Sequence, residues 1–277
     1  MIGWLNGELA ELDRLRIDPR DRGFLLGDGL FETLLSENGT IRRVRRHLTR
    51  LQESADLIGL PLHKTDLELL TAMQRVLAAN GLQEGRAALR LTVSRGVGPR
   101  GLVPPVEAAV TILITAAALG APAASCSAMI AQTVRGSGTV SARIKSLNYL
   151  DSVLARREAA QRGVDEALMR NCHGRIAEAS AANLFLVRDG GLVTPPVSEG
   201  ALPGIQRAVA MAAARALGID IVEAAVSDTE LACADELFLT NSLIGICPLV
   251  TLEGRKVGSG LPGPVTGKIA TRAGALD

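Results

Sequence analysis

Hydrophobic periodicity along this chain switches repeatedly between the alternation of a strand and the wider spacing of a helix. It never settles into a regular strand-helix-strand rhythm. That pattern argues against a doubly wound parallel sheet and for an α+β fold. Asn6-Gly7 is a type I′ turn signal, so residues 3–12 read as a short hairpin. Strands are expected at 29–35 and 40–44, around the turn Glu37-Asn38-Gly39. Apolar residues at Leu48, Leu51, Ala55 and Ile58 predict a helix over 47–58. A second helix, over 66–79, stops at Asn80-Gly81.

Strands over 87–94 and 108–115 flank a loop rich in glycine and proline, 95–105. The small-residue stretch 116–124, with Pro122, is the linker candidate. The expected organisation is a small N-terminal α+β domain over 1–117, a linker over 118–124 and a larger C-terminal α+β domain over 125–277. In the second half, strands are expected at 126–132, 166–170, 183–188, 219–223, 236–240 and 246–252, with helices over 148–162 and 205–217.

A hydrophobic content of 47% supports a real core, which must be aliphatic because aromatic residues make up 2%. That leaves little for a base-stacking platform, and a net charge of +1 removes the electrostatic case for nucleic acid. The run Arg42, Arg43, Arg45, Arg46 reads as a solvated loop or helix start. Cys126, Cys172, Cys233 and Cys247 lack a CxxC spacing and are expected as reduced thiols in the cytoplasm. No signal peptide is visible, and the longest apolar run, 108–119, is too short to span a bilayer. A soluble protein with no membrane partner is expected.

Residues 96–101 match GxGxxG after an expected strand, but Leu102-Val103-Pro104-Pro105 cannot start the helix a dinucleotide site needs. Gly267-Lys268 lacks the Ser or Thr of a phosphate-binding P-loop. His47, His63 and His173 show no zinc spacing, so no metal is expected.

The chain has four lysines, Lys64, Lys145, Lys256 and Lys268, and three lie among turn or tail residues. Lys145 instead sits between an expected strand and an amphipathic helix. There it can point into a cleft, where desolvation makes its amine nucleophilic, or it can be an ordinary helix-start lysine.

Ile144-Lys145-Ser146-Leu147-Asn148-Tyr149-Leu150, Asp165-Glu166-Ala167-Leu168 and Glu178-Ala179-Ser180-Ala181-Ala182-Asn183-Leu184-Phe185 resemble the fold-type IV pyridoxal-phosphate enzymes, the class IV aminotransferases. The resemblance runs from about Asn6 to Leu252. It implies a two-domain fold of the D-amino-acid aminotransferase type, with pyridoxal 5'-phosphate in the cleft between the domains, and a homodimer acting on a small-molecule amine. Lys145 matches the Schiff-base lysine, which also shuttles the proton, and Glu178 matches the carboxylate facing the pyridine nitrogen. Arg50 matches the arginine on the cofactor phosphate. Gly204, Ile205 and Gln206, opening a helix after Pro203, suit phosphate binding by backbone amides. Thr240, Asn241 and Ser242 match a second phosphate contact. Asn183 reads as a scaffold hydrogen bonder.

Substrate-side residues must choose the reaction. Gly27-Asp28-Gly29-Leu30-Phe31-Glu32-Thr33 resembles the segment of the family's 4-amino-4-deoxychorismate lyases, with Phe31 and Thr33 facing substrate. Residues 94–101 resemble the lyase loop, and Arg100 is a candidate for a substrate carboxylate. Leu102 stands where D-amino-acid enzymes carry the histidine of an Arg-x-His trap. The leading expectation is therefore a lyase giving 4-aminobenzoate and pyruvate for folate biosynthesis. The alternative is a class IV transaminase for D-amino acids, branched-chain amino acids or (R)-amines, and a non-catalytic binding relative comes third. The sequence leaves open which subunit's pocket the 95–105 loop serves.

Overall fold

Asn6 and Gly7 adopt φ of 48° and 118°, the left-handed pair that a two-residue hairpin turn demands. They fold β1 (Ile2–Leu5) back onto β2 (Glu8–Glu11), with Trp4 opposite Leu9. The structure is a computed structural model and describes residues 1–276. It divides into two compact units, Met1–Ala121 with Lys145–Asn148, and Pro122–Ile144 with Tyr149–Asp277.

In the first unit, α1 (Arg22–Leu26) precedes β3 (Gly29–Glu37) and β4 (Thr40–Ile41), then α2 (Val44–Leu57), α3 (Asp66–Ala79), β5 (Arg86–Ser94) and β6 (Thr111–Leu119). A six-stranded antiparallel sheet runs in the order β2-β1-β6-β5-β3-β4. Leu30, Leu34, Leu89, Leu91, Val93, Ile112 and Ile114 are buried on one face, which α2 and α3 cover. The strand expected over 40–44 ends at Ile41 because Arg43 takes φ 52°, which a strand cannot pass through, and the helix expected from 47 begins at Val44. The strand expected over 108–115 is shifted to Thr111–Leu119. Pairing along all nine residues of β5, from Ser94↔Thr111 to Arg86↔Leu119, draws it into the stretch read as linker. That pairing is long-range and left no local mark.

In the second unit, β7 (Cys126–Ile130), α4 (Val140–Arg143), α5 (Leu150–Gln161), β8 (Glu166–Arg170), β9 (Ile176–Ala179), β10 (Asn183–Arg188) and β11 (Gly191–Thr194) come first. Then follow α6 (Ile205–Ala216), β12 (Ile221–Glu223), α7 (Asp228–Ala232), β13 (Glu236–Asn241), β14 (Gly245–Leu252), β15 (Arg255–Lys256) and α8 (Pro264–Gly274). The nine-stranded mixed sheet runs β12-β11-β10-β13-β14-β7-β8-β9, with β15 on β14. The helices α6 and α8 pack on β13 and β14 around Phe185 and Phe238, whose rings stack with centroids 4.8 Å apart. The buried strand β9 and the helix α8 had no counterpart among the expectations. Gly267 and Lys268 lie inside α8, and no helix starts in the glycine-rich 96–101 segment. Among the described residues, no helix is long and apolar enough to cross a membrane.

Candidate active site

In the first unit the segment Lys145–Asn148 lies along the start of β3, on the side away from β5. The Phe31 amide donates to the Lys145 carbonyl at 2.9 Å, and the Leu147 amide donates to the Gly29 carbonyl at 2.9 Å. A Cβ on Gly29 would meet the Val93 carbonyl oxygen at 2.5 Å and Leu147 Cδ1 at 2.8 Å, so this close approach requires glycine. The result fixes the lysine backbone and leaves its side chain over the Phe31 ring, with Nζ 4.3 Å from the centroid.

A second cation shares that ring. The Arg90 guanidinium carbon lies 3.4 Å from the Phe31 centroid. Antiparallel register places Thr33 opposite Arg90 and Phe31 opposite Thr92, all on the face away from α2 and α3. The Arg90 Nε donates to Thr92 Oγ1 at 3.3 Å. The structure thus brings together Lys145, Phe31 and Thr33 and adds Arg90, which the sequence reading missed. The alternation Leu89-Arg90-Leu91-Thr92 marks Arg90 as outward-facing, but only the register reveals what it faces.

On the opposite face, Glu32 is almost fully buried and organises two basic groups. Arg50 Nε and Nη2 donate to its two oxygens at 2.8 and 2.6 Å, a bidentate fork. His47 Nδ1 lies 2.7 Å from Glu32 Oε2. Burial pushes the Glu32 carboxyl up, but the His47 hydrogen bond and the Arg50 charge outweigh it and hold the group below its ordinary range. Burial drives His47 down against the pull of Glu32, with the Arg50 and Lys145 charges adding to the lowering. A neutral imidazole there keeps its proton on Nδ1 and donates it to Glu32. Arg50 therefore sits in a fixed orientation that sequence alone did not disclose.

The 95–105 loop is tied down by arginines on the same unit. Buried Arg22 donates to the carbonyls of Gly101 and Leu102, each at 2.9 Å, and its Nε reaches Asp28 at 2.8 Å. Arg95 shares Asp28 at 2.8 Å and also holds the carbonyls of Ile58 and Gly59. Arg100 stands exposed on this loop. Among the described residues it makes no hydrogen bond or ion pair to the Lys145 group.

The second unit holds the remaining candidates. Glu178, at the buried end of β9, accepts at Oε2 from Asn183 Nδ2 at 2.9 Å and from the Leu202 amide at 2.8 Å. Its Oε1 is paired with Arg135 Nη2 at 2.9 Å. Asn183 also donates to the Leu202 carbonyl at 2.9 Å, a scaffold role. Asn183 faces Thr240 across β10 and β13, and a Cβ on Gly204 would come within 2.0 Å of Asn183 Oδ1. Glu178, Thr240 and Gly204 are therefore neighbours through one asparagine. Gly204 is the N-cap of α6 and makes no side-chain cap bond, and Ile205 and Gln206 form its buried first turn. Asn241 is spent on its own turn, accepting from the Leu243 and Ile244 amides at 2.9 Å each and donating to the Ala181 carbonyl at 3.0 Å. Ser242 follows in that turn.

Two features of this neighbourhood suit an anionic group. The first amides of α6 carry no side-chain cap, and Thr240 Oγ1 is buried without a hydrogen-bond partner. A carboxylate held by three donors suits the edge of a protonated heterocycle, so these residues fit pyridoxal phosphate.

The family model described as amino-transferase class IV matches residues 29–252. A putative branched-chain-amino-acid aminotransferase of Methanocaldococcus jannaschii is 34% identical over 96% of this chain and 93% of its own. Among solved structures, the branched-chain amino acid aminotransferase of Escherichia coli superimposes with a TM-score of 0.90 at 30% identity, covering 97% of this chain and 91% of that one. The 4-amino-4-deoxychorismate lyase of Pseudomonas aeruginosa superimposes with a TM-score of 0.85 at 34% identity, covering 98% and 97%.

Proposed function

Since the chain belongs to the class IV aminotransferase family, whose members depend on pyridoxal phosphate, we propose that it is a 4-amino-4-deoxychorismate lyase releasing 4-aminobenzoate and pyruvate. The observation that carries this reading is the polar face beside Lys145. There the Arg90 guanidinium carbon lies 3.4 Å from the Phe31 ring centroid with Thr33 and Thr92 beside it. A branched aliphatic side chain would be served by an apolar wall at this position, whereas a polar ring bearing carboxylates finds a cation and hydroxyls. The 34% identity with the lyase equals that with the Methanocaldococcus jannaschii aminotransferase, while the Escherichia coli aminotransferase gives the higher TM-score, so the side chains beside Lys145 carry the choice. Backbone superposition reports the shared fold, and side-chain identity bears more closely on the reaction.

In this reading Lys145 would hold the cofactor, and its amine would take the proton from the amine-bearing ring carbon of the substrate. The cofactor supplies an electron sink for the pair that this proton leaves behind. Glu178 would hold the cofactor's ring nitrogen. Arg50, oriented by Glu32, holds the phosphate, as do the α6 amides from Gly204 to Gln206 and the hydroxyl of Thr240, with Asn241 and Ser242 contributing through their turn. Arg90 anchors a substrate carboxylate, Arg100 is the candidate for a second, and Phe31 and Thr33 form the wall. The ring becomes aromatic as the enolpyruvyl group departs, so the protein's task is to position and deprotonate.

A transaminase is the second reading, favoured by the 34% identity to the Methanocaldococcus jannaschii protein. Aminodeoxychorismate supplied without an amino acceptor separates the two. Continuous pyruvate formation is the lyase outcome. Turnover of a D- or L-amino acid with a keto acid, and no pyruvate from aminodeoxychorismate, would replace it with the transaminase.

We also read the protein as a cytoplasmic homodimer. Its four cysteines are free thiols, and exposed Phe24 and Leu25 on α1, with Leu150 and Val153 on α5, are apolar surface that a second copy would cover. Light scattering reporting a single-chain mass would remove the dimer.

A further inference from the structure

Arg135 follows β7 in the loop that leads to α4, and it is buried. Its amide donates to the Arg170 carbonyl at 2.8 Å, which fixes the backbone beside Asn171. Its guanidinium reaches three acceptors: the Gly200 carbonyl at 2.6 Å, the Ala142 carbonyl at 3.2 Å and Glu178 Oε1 at 2.9 Å. Gly200 takes φ 100°, and a Cβ there would come within 2.7 Å of the Gly136 carbonyl oxygen, so only glycine turns that carbonyl toward Arg135. The other carboxylate nearby, Glu199, is engaged by Arg175 at 2.7 Å through both oxygens and by Asn171 Nδ2 at 2.5 Å. Arg135 is thus aimed at Glu178.

The two oxygens of Glu178 are treated differently. Oε2 receives two neutral donors, the Asn183 amide and the Leu202 N–H, while Oε1 receives a charge that cannot be titrated away. Neutral donors orient a carboxylate, yet a buried one facing a basic nitrogen can still lower its desolvation cost by taking the proton itself. A fixed cation on the far oxygen opposes that transfer.

We propose that Arg135 is a positioning residue that keeps Glu178 ionised, so that the proton shared between Glu178 and the cofactor ring resides on the ring nitrogen. The proposal rests on the reading of Glu178 as the ring-nitrogen partner. It assigns the strength of the electron sink to a residue that touches neither cofactor nor substrate.

The test uses holoenzyme reconstituted with pyridoxal phosphate carrying ¹⁵N in the ring, observed by NMR at one pH near neutrality. The ring nitrogen is expected protonated in the wild type, unprotonated in Arg135→Met and protonated in Arg135→Lys, which keeps the charge but loses the fork that reaches the Gly200 and Ala142 carbonyls as well as Glu178. Turnover is expected to fall by about 10²-fold in the Met variant with KM changed less than about threefold. A ring that stays protonated in Arg135→Met overturns the proposal, and so does equal loss of protonation in the Met and Lys variants, which would mark Arg135 as merely structural. Glu178→Gln is the control on the underlying reading. If that variant keeps the ring protonated, Glu178 is not the partner, whatever Arg135 does. Should the Met variant fail to fold, the wild-type holoenzyme with ¹³C-carboxyl glutamate still decides. The Glu178 resonance, assigned by its loss in Glu178→Gln, is expected at the ionised position, and a protonated position overturns the proposal.

Discussion

The surroundings of Lys145 and of Glu178 are built on opposite plans. The Lys145 segment is held by two backbone hydrogen bonds to β3, and its amine lies over an aromatic ring beside a second cation. Glu178 is fixed by its side chain, with a donor or cation on each oxygen and a sheet behind it. The difference matches what each group would do in the proposed function. A nucleophile that alternates between bound and released states needs a mobile amine on a rigid stem. A carboxylate that only has to keep one charge in one place is best immobilised.

The largest expected effect lies at the lysine. Lys145→Ala is expected to remove the visible chromophore and to lower turnover by about 10³-fold or more, because no other lysine accompanies the Phe31 ring. Absorbance of the reconstituted protein checks it, and a retained chromophore would break the contrast between the two regions. Glu178→Gln keeps the shape and removes the charge, and kcat is expected to fall on the order of 10²-fold with the chromophore retained. A kcat near wild type would show that the immobilised carboxylate has no part in the chemistry.

Glu32→Gln extends the comparison to the phosphate side. The substitution leaves Arg50 without its charge partner, at a cost of about 3 kcal/mol in urea unfolding, and cofactor binding is expected to weaken. Arg90→Gln is expected to raise the substrate KM by about tenfold with kcat little changed, the signature of a carboxylate anchor in uniform binding. The smallest effect is assigned to Arg100→Ala, a KM rise of about threefold or less, since among the described residues that side chain makes no hydrogen bond or ion pair to the Lys145 group. An order reversed between Arg90 and Arg100 in steady-state kinetics would move the anchor to the loop.

Acid sensitivity follows from the same buried group. The folded-state values of both His47 and Glu32 lie below their ordinary values of 6.5 and 4.5. Each is thus harder to protonate in the folded chain than in the unfolded one, and each contributes stability that is complete above its ordinary value. Stability should therefore begin to decline as pH falls below about 6.5, and the Glu32 contribution should be lost further down, below about 4.5. Urea midpoints measured from pH 8 to pH 4 test this, and Glu32→Gln should abolish the lower part of the slope.

Local signals in the sequence were reliable where the chemistry was local. Asn6-Gly7 and Asn38-Gly39 take the left-handed φ values their turns require, and the 47–58 and 66–79 periodicities appear as α2 and α3 within a few residues. The motifs around Lys145 and Glu178 pointed to the family and its cofactor before any fold was known. Signals were missed wherever a strand took its limits from a partner. Thr111–Leu119 follows β5 rather than its own composition, and Ile176–Ala179 is too short to announce itself.

By itself the sequence determined the α+β class, the turns, the main helices and the cofactor family, and it nominated the lysine and carboxylate, because each is written in contiguous residues. Tertiary structure alone decided that Arg90 shares a ring with Lys145, that Glu32 orients Arg50 and that Arg135 braces Glu178. Those partners lie 55, 18 and 43 residues apart along the chain. Charge and distance set their chemistry, and a sequence fixes distance only after it has folded.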